Sequence, residues 1–224
     1  MVRSYHHLNG LIVFVIFALI TALGQIISPT SSLIAQQIEK KKISKIIFLG
    51  DSITAGYGVN KSQAYPALLA TKLKDAKLDS YNIINGGISG STTASGLSRL
   101  KWQLKGKPKF IIIALGANDG LRGTKVDKTK DNLEEIINLA KESDLKILLA
   151  GMMMPPNYGK QYTKEFAKIF PELAAKYQIP LMPFLLKGVA GEPKLNQSDG
   201  IHPNEAGHKV IAEEMWPYLR QLLN

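Results

Sequence analysis

The 224-residue sequence contains no cysteine. This absence excludes disulfide bonds, thiolate metal sites, a cysteine nucleophile and a lipid-modified cysteine anchor. Histidine is also scarce, with four residues in the whole chain. Nucleophilic or acid–base chemistry must therefore depend on oxygen nucleophiles and on a very small set of imidazoles.

The part of the sequence after residue 44 lacks a concentrated basic segment, although 28 Lys and Arg against 18 Asp and Glu give the whole chain a formal net charge of +10. The lysines are scattered through amphipathic stretches, with no Arg/Lys-rich helix and no interleaved aromatics of the kind that stack on bases. We therefore predict no nucleic-acid partner and interpret the charge as a solvated basic face that favours anionic surfaces. Without repeats or low-complexity segments, one globular domain is expected.

The N-terminus carries a targeting pattern. Arg3 precedes an uncharged apolar run of 14 residues from Leu11 to Gly24. That length is short for a membrane span and is typical of the core of a secretory signal. Residues 1–27 are interpreted either as a signal peptide, cleaved after Gly24 or after Ala35, or as an uncleaved N-terminal anchor.

The remaining chain divides into a linker and a folded domain. Residues 28–44 combine a proline, several Ser and Thr residues and a Lys-rich stretch, which predicts a linker, and the domain is expected over residues 45–224. Either interpretation of the N-terminus predicts an exported protein, periplasmic or secreted, that associates with a membrane if the anchor is kept.

Short apolar runs rich in β-branched residues alternate with helical patterns in the folded part. Unbroken runs of this kind are typical of strands buried on both faces of a parallel sheet. They cover residues 46–49, 81–84, 110–115, 146–150 and, more weakly because of a proline, 181–184. The alternation predicts an α/β fold, a three-layer α/β/α sandwich with a five-stranded parallel sheet.

Apolar residues recur at helical spacing in five segments, near residues 64–73, 97–104, 133–140, 166–173 and 211–222. We predict that Asp127 caps the third helix and that Pro217 kinks or ends the last. In such a sheet ligands bind outside the carboxyl ends of the strands, so functional residues are expected in the turns that follow them.

Only one histidine has the surroundings of a general base. His6 and His7 precede the apolar run, and His208 falls inside a helical pattern, where a structural or surface role is expected. His202 lies in a loop three residues after Asp199. A carboxylate so placed can hold one ring nitrogen while the other faces a nucleophile.

Ser52 is the best-placed hydroxyl, in a Gly-rich turn between a strand and a helix. The Gly-x-Ser-x-Gly elbow is absent, which excludes an α/β-hydrolase assignment. Asn118 and Gly90 follow other strands and can donate an amide N–H and a backbone N–H to an oxyanion. Each feature also has an ordinary structural interpretation, since all are common turn residues and Asp51 can be a turn cap.

Four segments in order resemble the blocks of the SGNH (GDSL-type) hydrolase family. They are Gly50-Asp-Ser-Ile-Thr-Ala-Gly56, Gly87-Ile-Ser-Gly90, Gly116-Ala-Asn-Asp119 and Asp199-Gly-Ile-His202. The similarity runs from about Lys45 to the C-terminus and is greatest to the multifunctional acyl-CoA thioesterase/lysophospholipase/arylesterase group. Ile53 stands where the family name has Leu, which conserves volume.

The resemblance implies a flavodoxin-like SGNH hydrolase fold with Ser52 as nucleophile and with His202 oriented by Asp199. It implies an oxyanion hole made by the Ser52 and Gly90 backbone N–H groups and the Asn118 side chain. No metal or cofactor is required. The expected function is an exported serine esterase that hydrolyses lysophospholipid, short-chain or aryl esters through an acyl-enzyme, with thioesters as a further substrate class. The alternative is a carbohydrate or peptidoglycan O-acetylesterase.

The substrate site is less defined by the sequence. Leu121, Met154 and Tyr158 are interpreted as residues of an acyl-chain groove, because methionine suits flexible apolar surfaces. The other interpretation is that Met152 and Met153 finish a buried strand. A binding module that lost catalysis and a phosphate-binding flavodoxin-like protein remain as alternatives, the latter without a phosphate-binding fingerprint in the sequence. The oligomeric state is not predicted.

Overall fold

Residues 43–224 are the part of the chain that the computed structural model describes, and they make up one compact unit. The predicted signal peptide or anchor over residues 1–27, and nearly all of the predicted linker over residues 28–44, lie outside the described residues. The first strand begins at Ser44, one residue before the predicted start of the domain.

The centre of the unit is a five-stranded parallel sheet in the order β2-β1-β3-β4-β5. The strands are β1 (Ser44–Gly50), β2 (Tyr81–Asn85), β3 (Phe110–Ala114), β4 (Lys146–Ala150) and β5 (Leu181–Met182). The apolar runs of β1, β3 and β4 are buried almost throughout, as expected for strands covered on both faces. β5 has two residues because Pro183 has no N–H to continue the ladder. The predicted sheet is confirmed.

Seven α-helices among the described residues cover the sheet and its edges. They are α1 (Ser52–Ala55), α2 (Tyr65–Asp75), α3 (Gly96–Leu104), α4 (Ala117–Leu121), α5 (Val126–Glu142), α6 (Lys160–Tyr177) and α7 (Glu205–Leu223). α2 packs against α7, and α5 packs between α3 and α6. With right-handed crossovers, these two groups lie on opposite faces of the sheet, which gives the predicted three-layer sandwich.

Asp127 is not the predicted helix cap, and Pro217 does not end the last helix. α5 begins at Val126 with Lys125 as its N-cap, so Asp127 lies inside the first turn, where its carboxylate interacts favourably with the helix dipole. Pro217 does not end α7, which continues to Leu223. The apolar face of α7 is buried on both sides of the proline, and this packing outweighs one lost backbone hydrogen bond.

The apolar character of the unit is directed inward. Within residues 43–224, no helix has both the length and the apolarity needed to cross a bilayer. Ile112, at the centre of β3, is fully buried, whereas Ile43 ahead of β1 is 59% exposed. The same residue type therefore occupies two opposite environments.

This contrast predicts the effect of truncating each isoleucine. Ile112→Ala is expected to lower the free energy of unfolding by about 2–5 kcal/mol, because it removes buried methyl groups and leaves a cavity. Ile43→Ala is the matched control and is expected to change it by less than about 0.5 kcal/mol. Urea unfolding followed by circular dichroism measures both. Equal effects would contradict the burial of β3.

Candidate active site

Ser52 is held in the turn between β1 and α1. It is the first residue of α1, and Asp51 caps this helix by accepting a hydrogen bond from the Ile53 N–H at 3.0 Å. Gly50 is required here, because a Cβ at that position would lie 1.9 Å from the Thr54 hydroxyl oxygen. Because Ser52 is the first residue of α1, its backbone N–H has no acceptor within the helix.

The side chains of Ser52, His202 and Asp199 form a continuous hydrogen-bonded series. The His202 Nε2 lies 2.9 Å from the Ser52 Oγ, and the His202 Nδ1 lies 2.6 Å from Asp199 Oδ2. Asp199 Oδ1 accepts hydrogen bonds from the backbone N–H groups of His202 and Ile201, each at 2.9 Å. Hydrogen bonds from the backbone and then the side chain of His202 lower the pKa of Asp199 to about 2, so it is ionised at neutral pH.

Gln197 fixes the loop that carries His202. Its backbone N–H donates to the His202 carbonyl at 2.8 Å, and its side-chain amide donates to the Tyr57 and Pro203 carbonyls at 2.7 and 3.0 Å. The Tyr57 ring lies 4.7 Å from the His202 ring, centroid to centroid. Gln197 therefore joins the histidine loop to the segment that follows α1. The sequence carries no signal for this contact, since it depends on side-chain reach between distant segments.

The Asn118 side chain links the loops that follow β2 and β3. Its Nδ2 donates to the Ser91 carbonyl at 3.0 Å, next to Gly90. Gly90 has a φ of +77°, which favours glycine, and its carbonyl accepts from Arg122 at 3.1 Å. A primary amide has two N–H donors, so one remains for a ligand when the other binds Ser91.

A buried polar network fixes the loop of Asn118 on the side that faces the core. The Asp119 carboxylate is 1% exposed and accepts from the Thr93 N–H at 2.9 Å and from the Thr93 hydroxyl at 2.6 Å. The Asn132 side chain on α5 donates to the Thr93 oxygen at 2.9 Å. These bonds satisfy a carboxylate that would otherwise be costly to bury. No sequence pattern marks this network, although Asp119 adjoins Asn118.

Asp51 is a second buried carboxyl beside the nucleophilic candidate. It is 1% exposed, and its Oδ2 has no hydrogen-bond partner within the described residues. Burial is the main cause that raises the pKa of Asp51 to about 6, against the lowering effects of the Ile53 N–H, His202 and Arg99. Arg99 donates to the carbonyls of Gly50 and Gly86, and so ties β1 to the segment after β2. The expected turn cap at Asp51 is thus present.

His208 lies in the core, in agreement with the first of the two roles expected for it, a structural one rather than a surface one. It is fully buried and its Nδ1 accepts from the Tyr65 N–H at 3.3 Å. Burial, and secondarily the charge of His202, lowers the pKa of His208 to about 4, so it is neutral at neutral pH. Within residues 43–224, no three His, Asp or Glu side chains are grouped as a metal site would require.

An apolar groove of about 460 Å³ begins beside α1. Ile53, Leu121, Ile201 and the three methionines at 152–154 are among the residues that line it. β4 ends at Ala150, so these methionines lie in the loop beyond the strand. Two of the three expected groove residues, Leu121 and Met154, are in the lining. Tyr158 is not, and its hydroxyl donates to the Leu121 carbonyl at 3.2 Å.

A five-stranded parallel sheet between two helical layers, with these side chains at its carboxyl edge, is the architecture of the SGNH hydrolases. The sequence model of the GDSL-like Lipase/Acylhydrolase family matches residues 48–210. The chain belongs to this family and is a carboxylic ester hydrolase.

Named relatives agree with this assignment. The chain is 41% identical over 179 residues to Esterase TesA of Pseudomonas aeruginosa, covering 80% of this chain and 89% of that protein. It is 38% identical over 180 residues to thioesterase 1/protease 1/lysophospholipase L1 of Escherichia coli K12, covering 80% and 85%. A crystal structure of TesA has a TM-score of 0.77 at 40% identity, covering 80% of this chain and 99% of that one.

The raised pKa of Asp51 predicts how stability depends on pH. Between its ordinary value of 3.8 and about 6, the folded protein binds more protons at this site than the unfolded chain does. The associated stability is complete below about pH 4 and is lost as the pH rises through about 6. Relative to Asp51→Asn, the wild-type free energy of unfolding should therefore fall by about 3 kcal/mol over this range.

Urea unfolding at a series of pH values measures this difference. Asp75→Asn, at an exposed position on α2, makes the same chemical change and serves as the control. A pH-independent difference between wild type and Asp51→Asn would show that the buried carboxyl does not take up a proton on folding.

Proposed function

We propose that this chain is an exported serine esterase that hydrolyses acyl esters through a Ser52–His202–Asp199 triad and an acyl-enzyme. The observation that carries the proposal is the 2.9 Å contact between the His202 Nε2 and the Ser52 Oγ. A base must be within hydrogen-bond reach of the proton that it removes, and this imidazole is in that position. Asp199, ionised and bonded to the other ring nitrogen, fixes the tautomer that leaves Nε2 free to accept.

In the first step, the Ser52 oxygen attacks the carbonyl carbon of the ester while His202 takes the hydroxyl proton. The negative charge that develops on the carbonyl oxygen is stabilised by the N–H groups of Ser52 and Gly90 and by the free N–H of Asn118. When the tetrahedral intermediate collapses, the bond to the leaving oxygen or sulfur breaks. His202 gives its proton to that atom, and the acyl group stays on Ser52.

In the second step, water replaces the leaving group. His202 removes a proton from the water as its oxygen attacks the acyl carbon, and the same three donors stabilise the second oxyanion. Collapse returns the proton to the Ser52 oxygen and releases a carboxylic acid. Asp199 stabilises the imidazolium in both steps and is not itself protonated.

The groove beside α1 supports acyl chains as the substrate class. Its volume of about 460 Å³ and its Met-rich lining suit a flexible chain longer than acetyl. This favours lysophospholipid, aryl and medium-chain esters or thioesters over the O-acetyl esters of the alternative. The names of the two relatives, esterase and thioesterase/lysophospholipase, agree with that substrate class.

Export is proposed from the apolar run between Leu11 and Gly24, which has the length of a signal core. An exported enzyme meets lipids and free esters rather than cytoplasmic acyl-CoA. Fractionation of cells that express the full chain, with immunodetection of the membrane, soluble exported and cytoplasmic fractions, tests this part. Recovery in the cytoplasm alone would contradict export, and it would not test the proposed triad.

The triad and the oxyanion donors predict two losses of turnover. Ser52→Ala is expected to lower kcat by about a million-fold, and Asn118→Ala by about 100- to 1000-fold, on p-nitrophenyl esters. Ser98→Ala, on the exposed face of α3, is the matched control and should leave kcat unchanged. The proposal fails if Ser52→Ala keeps activity near that of the wild type.

The groove predicts a change in chain-length preference. Leu121→Trp should fill part of the groove and lower kcat/KM for octanoyl esters by about tenfold or more, since each buried methylene contributes about 0.8 kcal/mol. Turnover of acetyl esters should change little. Tyr158→Phe, which alters a neighbour outside the lining, is the control. Equal loss on acetyl and octanoyl esters would show that the groove does not hold the acyl chain.

A further inference from the structure

Large hydrophobic side chains that remain exposed are gathered at the active-site edge of the sheet. Within residues 43–224, the exposed ones are Ile43, Tyr57, Ile88, Trp102, Met153 and Ile201. Ile43 precedes β1 and Trp102 lies near the end of α3, so both are at the amino edge of the sheet. The other four lie in loops at the carboxyl edge, and we call them the apolar rim.

Each member of the apolar rim is tied to the active site. The Tyr57 ring contacts His202, and Ile201 lies between Asp199 and His202 in the chain. The Ile88 N–H donates to the Gly50 carbonyl at 3.2 Å, two residues before Ser52 in the sequence. Met153 and Ile201 also line the groove. The four side chains are 45–54% exposed although two of them line an apolar groove.

The charge around this edge favours a negatively charged partner. Lys61 lines a second pocket on the other side of α1, and the exposed Arg122 bonds the loop of Gly90. Lys125, Lys160 and Lys194 are exposed at this edge as well, against Glu192 and Asp199 in the loops and Glu205 at the start of α7, so the local excess of positive charge is small. The net charge of +10 adds a longer-range attraction that salt screens. Apolar contact must therefore supply most of the binding.

We propose that the apolar rim docks on an anionic lipid surface and places the groove mouth against the layer that holds the substrate. This inference rests on the proposed function, because docking on a lipid layer serves the enzyme only if the groove takes the acyl chain of an ester held in that layer. Four separate apolar side chains at one edge suit the outer part of a lipid layer, where each is buried by lipid without a complementary protein surface.

The absence of cysteine allows a direct test on the full chain. Ile88→Cys, Met153→Cys and Trp102→Cys are each made in the Ser52→Ala background and labelled with an environment-sensitive nitrobenzoxadiazole dye. The probes are phosphatidylcholine vesicles with and without phosphatidylglycerol. Because Ser52→Ala removes turnover, this readout is independent of catalysis, and failure of the esterase proposal would appear separately in the wild-type ester panel.

The expected result is a blue shift of the emission at positions 88 and 153 on vesicles that contain phosphatidylglycerol, with quenching by a lipid-borne quencher. Position 102 should show neither effect, and its exposure of 70% makes it a matched control. The proposed docking surface would be overturned if the labels at positions 88 and 153 showed no emission shift and no quenching, or if the label at position 102 responded equally. An equal response on neutral vesicles would overturn the choice of an anionic surface.

Discussion

The hydrogen bond between His202 and Ser52 is the contact on which the arrangement of the site depends. It joins residues 150 positions apart, one at the end of the first strand and the other in the loop before the last helix. The parallel sheet makes this contact possible, because strands that all run in one direction bring their following loops to the same edge. A change in strand order would separate the serine from the histidine without altering either local sequence.

Three separate sets of hydrogen bonds hold the loops at the carboxyl edge of the sheet in fixed positions. Arg99 donates to carbonyls of two segments, Gln197 ties the histidine loop to the segment after α1, and Asp119 anchors Thr93 from the core. The contacts of Asp119 are buried and those of Arg99 half-buried, so the loss of a partner there is costly, whereas the Gln197–Tyr57 contact is exposed. The proposed oxyanion donors and the proposed triad therefore sit on supports that belong to the fold and not to the reacting groups. Such support limits the reorganisation needed when charge develops on the substrate.

Two carboxyls near Ser52 are in opposite environments, although one precedes α1 and the other lies in the loop before α7. Asp199 accepts three hydrogen bonds in a half-exposed loop, which lowers its pKa to about 2. Asp51 has one free oxygen in a buried turn, and its pKa is raised to about 6. Asp199 stays charged and bonds the imidazole of His202, and Asp51 caps the helix that begins with Ser52, the proposed nucleophile. Hydration and the number of donors decide which role each carboxyl takes.

The sequence by itself determined the strand and helix alternation, the parallel sheet and the four blocks with Ser52, Gly90, Asn118, Asp199 and His202. Those signals are local, since each depends on residue type and spacing within a few positions. The tertiary structure alone decided the contacts of Gln197, Arg99 and Thr93, the absence of Tyr158 from the groove lining and the persistence of α7 past Pro217. These features depend on side chains that reach between distant segments and on packing against the sheet. Neither leaves a local or periodic pattern of residues in the sequence.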